Sequence, residues 1–285
     1  MPWRLTPAID VEIVYGPSET WPSEIRRLRP EVVISLDWAG VTASERNDNL
    51  QWSNLERLQA VVEAVADAGA RRFVGVGSQA EYGPRNSRIR EDSPTNPVTV
   101  YGAVKLRALD LVETLCGAAG VQWAWARIFS VYGPMDDPRL LLGTLAVLSS
   151  SGRTASLSSG TQRWSYLFAA DAARALEILA TAPGVAGVYN VAHPDAPVLR
   201  YSVELYLRYL TRQVAVEFAP PPTRDQSVSH LEADVTRLFA LGWRPLTSDE
   251  DGLRATADWN ENRPVADPFA PYRTLPPQPD EGASG

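Results

Sequence analysis

Short apolar segments typical of buried β-strands alternate with segments of helical periodicity along most of the chain, and this alternation limits the possible folds. Strands are predicted at 11–16, 31–40, 72–78, 121–129 and 187–192. Helices are predicted at 50–72, 98–120, 139–152 and 171–184. Strands that alternate with helices form mostly parallel sheets covered on both faces. The sequence therefore predicts an α/β fold with a doubly wound parallel sheet.

The pattern changes after Pro134, where the predicted elements become shorter. This change predicts a smaller C-terminal lobe, and 285 residues are enough for two unequal lobes. Residues 263–285 are rich in proline and small polar side chains, so we expect a disordered tail there.

The composition argues against several kinds of partner. A formal charge of −7 with scattered arginines argues against nucleic acid, which requires a basic face on the protein. Cys116 is the only cysteine, and His193 and His230 are the only histidines, so we expect no intramolecular disulfide and no metal site. The chain has no apolar run of membrane-spanning length and no signal-peptide pattern, which predicts a cytoplasmic protein without a membrane partner.

One lysine stands out among 27 basic side chains, because Lys105 is the only lysine in the chain. It follows Tyr101 by four residues on a predicted helix, so both side chains lie on the same helix face. Lysine offers a compact charge where arginine offers a wide planar fork. We expect the ammonium to lower the pKa of the Tyr101 phenol and make it a usable acid or base.

Ser78 ends the predicted strand at 72–78 in the segment VGVGSQAEYG. Ligands bind at the carboxyl ends of the strands in open parallel sheets. A hydroxyl at this position can hydrogen-bond a substrate carbonyl, so Ser78 is a candidate site residue.

Several segments in this order resemble the motifs of the extended short-chain dehydrogenase/reductase family, which contains NAD(P)-dependent nucleotide-sugar epimerases, dehydratases and 4-ketoreductases. The resemblance covers roughly residues 10 to 262. It is carried by SLDWAG, VGVGSQAEYG, YGAVK, ARIFSVYGP, GTQRWSYLFAADAARAL and EADVTRLFALGWRP. The combination is specific, although each motif alone is weak.

The resemblance implies a role for each matching residue. Tyr101 would be the general acid/base, Ser78 would orient the reacting oxygen, and Lys105 would hold the nicotinamide ribose. Further cofactor contacts are implied for Asp37, Trp38, Ala39, Phe129 and Val131, and substrate contacts for Gln79 and Arg163. Arg163 would face the substrate diphosphate.

The resemblance also implies the architecture and the activity. Residues 1–135 and 166–196 would form a Rossmann-like cofactor domain, and residues 136–165 and 197–262 a substrate lobe. The expected reaction is 4-keto reduction or epimerisation of a nucleotide-activated sugar with NAD or NADP. A homodimer formed through the 50–68 and 99–118 helices is implied by the same resemblance.

The glycine-rich turn G-x-x-G-x-x-G, which holds the dinucleotide pyrophosphate in this family, does not occur in the sequence. Aligned on SLDWAG, about 30 residues of the first βαβ unit are absent. Either Met1 is an internal start, or the loss is real and the protein is redox-silent, as a cofactor-free lyase or cyclase or a binding partner. We expect a gap beside the 11–15 strand, poor solubility, and no measurable dinucleotide affinity for residues 1–285 alone.

Overall fold

The computed structural model of the chain describes residues 16–42, 44–220 and 230–261. Its central sheet contains four parallel strands in the order β1-β2-β3-β7. The strands are β1 (Val32–Ser35), β2 (Arg72–Ser78), β3 (Gln122–Ile128), β4 (Ser130–Tyr132), β5 (Ala155–Leu157), β6 (Tyr166–Phe168), β7 (Gly187–Val191) and β8 (Val216–Phe218). Strand β4 pairs with β6 and β5 pairs with β8, both in parallel. The predicted α/β fold with a parallel sheet is confirmed.

The α-helices connect these strands and cover both faces of the central sheet. They are α1 (Trp21–Leu28), α2 (Leu50–Asp67), α3 (Val100–Ala119), α4 (Leu141–Ser151), α5 (Ala169–Thr181), α6 (Leu199–Leu207), α7 (Thr236–Ala240) and α8 (Asp249–Glu261). Helices α2 and α3 pack on one face of the sheet, and α5 packs on the other. Helices α4, α6 and α8 enclose a separate apolar cluster in the C-terminal part.

The alternation of side chains along β2 and β3 separates the two core layers. Phe73 and Trp125 face α2 and α3, whereas Val74, Ala124 and Ala126 face α5. Successive side chains of a strand point to opposite faces, so a continuous apolar strand supplies both layers.

The helix boundaries follow local signals in the sequence. Helix α3 begins after Thr99, whose hydroxyl accepts a hydrogen bond from the Gly102 N–H at 3.1 Å. It ends at Gly120, which has a φ of 68°. The helical periodicity of 50–72 extends past α2, which ends at Asp67 just before Gly69. Gly69 is left-handed, with a φ of 73°, and is the glycine that the sequence offers as a helix stop. Strand β2 begins at Arg72.

Strand β1 pairs only with β2 among the described residues. Ile34 is 39% exposed at this edge, while Val33 packs beneath α2. The predicted strand at 11–15 and the predicted tail at 263–285 lie outside the described residues, and so does the expected gap beside that strand.

Two glycines of β2 make room for one large side chain. The indole of Trp125 on β3 lies across Gly75 and Gly77. A Cβ at Gly77 would collide with the Trp125 Nε1 atom and with the Glu81 carboxylate. Glycine at position 77 therefore allows these two buried groups to meet.

Replacing Gly77 by alanine should destabilise the fold. We expect a loss of about 1–3 kcal/mol in the free energy of unfolding, because neither Trp125 nor Glu81 has space to move. Gly117→Ala on the surface of α3 is the matched control. The Cβ added at position 117 would meet no atom within 4 Å, so this substitution should raise the free energy of unfolding by about 0.5–1 kcal/mol. Equal effects of the two substitutions in denaturant titrations would contradict this account of Gly77.

Candidate active site

The site lies where β2 ends and the chain turns into a short 3-10 helix at Gln79–Glu81. Ser78 is the last residue of β2 and is 8% exposed. Its Oγ accepts a hydrogen bond from the Ala80 N–H at 3.2 Å, and the Glu81 Oε1 atom accepts the Ser78 N–H at 2.8 Å. This reciprocal capping box holds the backbone of Ser78 in one conformation.

A fully buried ion pair supports the turn from below. The Glu81 Oε2 atom accepts a hydrogen bond from the Arg127 Nε–H at 2.6 Å, and Oε1 accepts one from the Trp125 Nε1–H at 3.0 Å. Glu81 is 0% exposed and Arg127 is 3% exposed. Buried charges need pairing and several hydrogen bonds, and Glu81 has both.

Aromatic and amide groups extend this network to β7. The Arg127 guanidinium lies 4.3 Å from the ring centre of Tyr82. The Tyr82 hydroxyl donates to the Asn190 Oδ1 atom at 2.7 Å. Burial raises the pKa of Tyr82 to about 12, so this hydroxyl is a neutral donor. Three neighbouring strands are thus joined at their carboxyl ends.

Helix α3 places Tyr101 beside Ser78. Tyr101 is 8% exposed, and its phenol lies close enough to the Ser78 hydroxyl for that hydroxyl to lower the pKa of Tyr101. The Trp38 ring meets the Tyr101 ring edge-on at 6.3 Å, and the Arg46 guanidinium lies 5.3 Å from its centre. Ser78, Trp38 and Arg46 therefore surround the phenol.

The expectation that Lys105 lowers the pKa of Tyr101 is wrong for this structure. Burial raises the pKa of Tyr101, and the nearby Ser78 hydroxyl and the charge of Arg46 only partly oppose this effect. The Lys105 ammonium lies 5.9 Å from the centre of the Tyr101 ring. Tyr101 is therefore a neutral phenol at neutral pH, suited to giving a proton.

Lys105 is buried, with 3% of its surface exposed. Its Nζ atom donates to the Val76 carbonyl oxygen at 2.6 Å and lies 3.5 Å from the ring centre of Trp38. Burial lowers the pKa of Lys105 to about 7, although the carboxylates of Glu81 and Asp37 oppose the shift. A desolvated cation–π contact such as this one stabilises the ammonium by about 2 kcal/mol.

Two buried polar residues of α2 hold the loop that carries Trp38. Gln51 is 0% exposed, accepts the Trp38 Nε1–H at 2.9 Å and donates to the Gly40 oxygen at 2.6 Å. Asn54 is 3% exposed and hydrogen-bonds both the N–H and the carbonyl of Ala39, at 2.9 and 3.0 Å. The sequence reasoning missed both residues.

The other predicted site residues occupy varied positions. Asp37 lies 3.7 Å from the Arg57 Nε atom, and Gln79 opens the 3-10 turn. Phe129 packs in a buried apolar cluster, with its ring centre 6.4 Å from that of Tyr82. Val131 lies on β4 and packs against the apolar cluster between the sheet and α5.

Arg163 lies in the C-terminal half of the chain, with a side chain that is 57% exposed. Its guanidinium donates to the Ala196 oxygen at 3.3 Å and lies 3.8 Å from the Glu232 carboxylate. The His230 ring accepts the Arg163 backbone N–H, and the Arg163 carbonyl oxygen accepts the Leu231 N–H at 3.0 Å. The structure therefore brings Ser78, Trp38, Tyr101 and Lys105 together and gives Arg163 a separate set of contacts.

The Lys105 ammonium fits one end of a dinucleotide. An ammonium has three donors, but among the described residues Lys105 donates to one acceptor, the Val76 carbonyl. The hydroxyls of a ribose can accept from the remaining donors. The donors that remain on Lys105 therefore fit the nicotinamide ribose.

A family model for the NAD dependent epimerase/dehydratase family matches residues 18–192, which is more than half of the chain. The chain belongs to this family. The match confirms the resemblance to the extended short-chain dehydrogenase/reductases.

Individual relatives agree with this assignment. The chain is 27% identical over 231 residues to a trifunctional UDP-glucose 4,6-dehydratase/UDP-4-keto-6-deoxy-D-glucose 3,5-epimerase/UDP-4-keto-L-rhamnose-reductase of Arabidopsis thaliana, covering 74% of this chain but only 33% of the relative. It is 26% identical to the dTDP-6-deoxy-L-talose 4-dehydrogenase (NAD(P)(+)) of Kitasatospora kifunensis, covering 86% and 81% of the two chains.

A solved structure matches the fold. The UDP-glucose 4-epimerase of Thermus thermophilus, in complex with NAD, is 25% identical and superposes with a TM-score of 0.70. The superposition covers 86% of this chain and 82% of the epimerase. Across residues 16–42, 44–220 and 230–261, no helix is both long and apolar enough to cross a membrane.

Lys105 should titrate far below an ordinary lysine. Because it is the only lysine, isotopically labelled lysine would mark a single side chain for NMR. We expect a midpoint at about 7, and a midpoint near the ordinary 10.5 would contradict the buried geometry.

The same shift predicts how stability depends on pH. An unfolded Lys105 keeps its proton up to 10.5, whereas the folded protein releases it at about 7. Between these values the unfolded state binds more protons than the folded state. The loss of stability caused by burying the charged lysine is therefore full below pH 7 and disappears as the pH rises to 10.5. Lys105→Met should therefore stabilise the protein most below pH 7.

Proposed function

We propose that this protein is an NAD(P)-dependent oxidoreductase or epimerase that acts on a nucleotide-activated sugar. The observation that carries the proposal is the buried group of Ser78, Tyr101 and Lys105 at the carboxyl end of β2. Such edges of parallel sheets are ligand sites. The names of the relatives, which include a nucleotide-sugar reductase, a 4-dehydrogenase and an epimerase, support the same substrate class.

Tyr101 and Ser78 would handle the reacting oxygen of the sugar. Ser78 hydrogen-bonds this oxygen from its fixed position above the Glu81 turn. Tyr101 transfers a proton between its phenol and the same oxygen. Because the pKa of Tyr101 is raised by burial, the phenol holds its proton at neutral pH. This protonation state supports 4-keto reduction, in which Tyr101 acts as the acid.

Lys105 would hold the nicotinamide ribose through the ammonium donors that Val76 leaves open. Bound NAD(P)H would supply the hydride that the protein itself lacks. Of the two cofactors, NAD has the more direct support, because it is named both for the family and for the Thermus structure. Cofactor contacts from Asp37, Trp38, Ala39, Phe129 and Val131 are part of the same proposal.

The substrate lobe of the proposal comprises residues 136–165 and 197–262, and the cofactor domain residues 1–135 and 166–196. Gln79 lies next to Ser78 and would contact the sugar. The exposed guanidinium of Arg163 would meet the diphosphate, for which its fork is well suited. A cytoplasmic homodimer formed through α2 and α3 completes the proposal, since these helices lie side by side on one face of the sheet.

The redox-silent alternative has less support. A protein that had lost the dinucleotide would have no use for a buried charge at Lys105, and the family match covers the whole site. The cheapest discriminating observation is the reading frame upstream of Met1, where a glycine-rich turn would favour the enzyme.

Tyr101→Phe should lower turnover by about 100-fold or more, because it removes the proton that the reduction requires. The assay would follow NADH or NADPH oxidation with UDP- and dTDP-linked 4-keto sugars, using the longest reading frame that contains the chain. Tyr201→Phe is the control, since Tyr201 is 47% exposed on α6. Turnover that is equal in the two variants would remove Tyr101 from the mechanism.

A further inference from the structure

The indole of Trp38 covers one side of the Lys105 ammonium. The Lys105 Nζ atom lies 3.5 Å from the centre of the Trp38 ring. A hydrogen-bonding oxygen must come within about 2.7–3.2 Å of the nitrogen. The ring leaves no space for such an oxygen on this side. The indole and a ribose hydroxyl that approaches from this side therefore exclude each other.

We propose that Trp38 is a gate over Lys105: its indole covers one side of the ammonium and is displaced by a ligand that hydrogen-bonds to Lys105 from that side. The identity of this ligand as the ribose of NAD(P) rests on the proposed function. The gate itself rests only on the contacts of Trp38, Lys105 and Gln51.

The indole is a suitable temporary partner for the ammonium. Lys105 is 3% exposed and has one described hydrogen-bond acceptor, so the face of an aromatic ring supplies the remaining stabilisation. Ribose hydroxyls would supply hydrogen bonds in its place. Trp38 is only partly buried, which allows it to leave, whereas the core residues around Lys105 cannot.

Gln51 is the latch of this gate. Its Oε1 atom accepts the Trp38 Nε1–H at 2.9 Å, while its Nε2 atom donates to the Gly40 oxygen at 2.6 Å and the Glu45 oxygen at 3.1 Å. One buried amide thus fixes both the indole and the loop that follows it. Gly40 has a φ of 77°, which lets the loop turn back toward Gln51.

A closed gate reduces the apparent affinity for the ligand. Only the fraction of molecules with Trp38 displaced can bind, so the dissociation constant rises by the inverse of that fraction. Removing the indole should therefore strengthen binding. The cofactor contact proposed for Trp38 would be made from its displaced position. If that contact contributed more to binding than the gate takes away, removal of the indole would weaken binding.

The unique lysine permits a direct test that needs neither substrate nor cofactor. Reductive methylation with formaldehyde and cyanoborohydride modifies Lys105 and the N-terminal amine, and mass spectrometry of the α3 peptide measures the rate at Lys105. The rate would be followed over a range of pH, so that the limiting rate of the neutral amine is compared between variants. The N-terminal amine is the internal reference.

We expect Trp38→Ala to raise the limiting methylation rate of Lys105 by about tenfold. Trp38→Phe should raise the rate less than Trp38→Ala, because a ring remains over the ammonium although its hydrogen bond to Gln51 is lost. Gln51→Leu should accelerate methylation with Trp38 intact, since it removes the latch. Trp52→Ala is the control, because Trp52 is 49% exposed on α2, and it should change nothing.

An unchanged rate in both Trp38→Ala and Gln51→Leu would overturn the gate. Circular dichroism shows whether each variant is folded. If Trp38→Ala does not fold, Gln51→Leu still tests the gate.

A second experiment adds NAD⁺ to the protein encoded by the longest reading frame that contains the chain. Tighter binding to Trp38→Ala than to wild type supports the gate, and weaker or equal binding contradicts it. Absence of any NAD⁺ protection of Lys105 would contradict the proposed function while leaving the methylation result to decide the gate.

Discussion

The ion pair of Glu81 and Arg127 is the interaction on which the rest of the site depends. It lies buried at the carboxyl ends of β2 and β3, and Glu81 also accepts the Ser78 N–H and the Trp125 indole N–H. Removing one member of a buried pair destabilises a protein by about 3–5 kcal/mol, because the other charge is left uncompensated. This pair therefore both joins the strands and fixes Ser78 before any ligand is present.

Much of this arrangement could be predicted from the sequence. The order of strands and helices, the placement of Tyr101 and Lys105 on one helix, and Ser78 at a strand end all follow from periodicity and spacing. The three-residue strands β4, β5, β6 and β8 could not be found, because segments of that length show no periodicity.

The pKa of Tyr101 could not be predicted, for a physical reason. A spacing of four residues places two side chains on one helix face, but it does not say how deeply each is buried or what lies between them. In the structure, Lys105 points to Val76 and Trp38, and burial dominates both pKa shifts. The burial of Gln51 and Asn54 could have been predicted, because helical spacing puts them in one stripe with the apolar residues Leu58, Val62 and Val65.

The same contacts explain why the chain keeps a lysine at position 105. The ammonium fits between one carbonyl oxygen and one aromatic face in a space that is almost closed to water. A guanidinium is wider and carries its donors in a fixed plane, so it could not use this space in the same way. A buried lysine with a pKa of about 7 also responds strongly to any charge placed near it.

The central claim is that the buried Glu81 carboxylate couples the core to the reactive groups, and the pKa of Lys105 in a Glu81→Gln variant tests it most directly. The substitution keeps the shape of the side chain and removes its charge. Because this carboxylate raises the pKa of Lys105 against the effect of burial, we predict a pKa below the wild-type value. Glu113→Gln, on the exposed face of α3, should leave it unchanged. A folded Glu81→Gln protein with the wild-type Lys105 pKa would contradict the account.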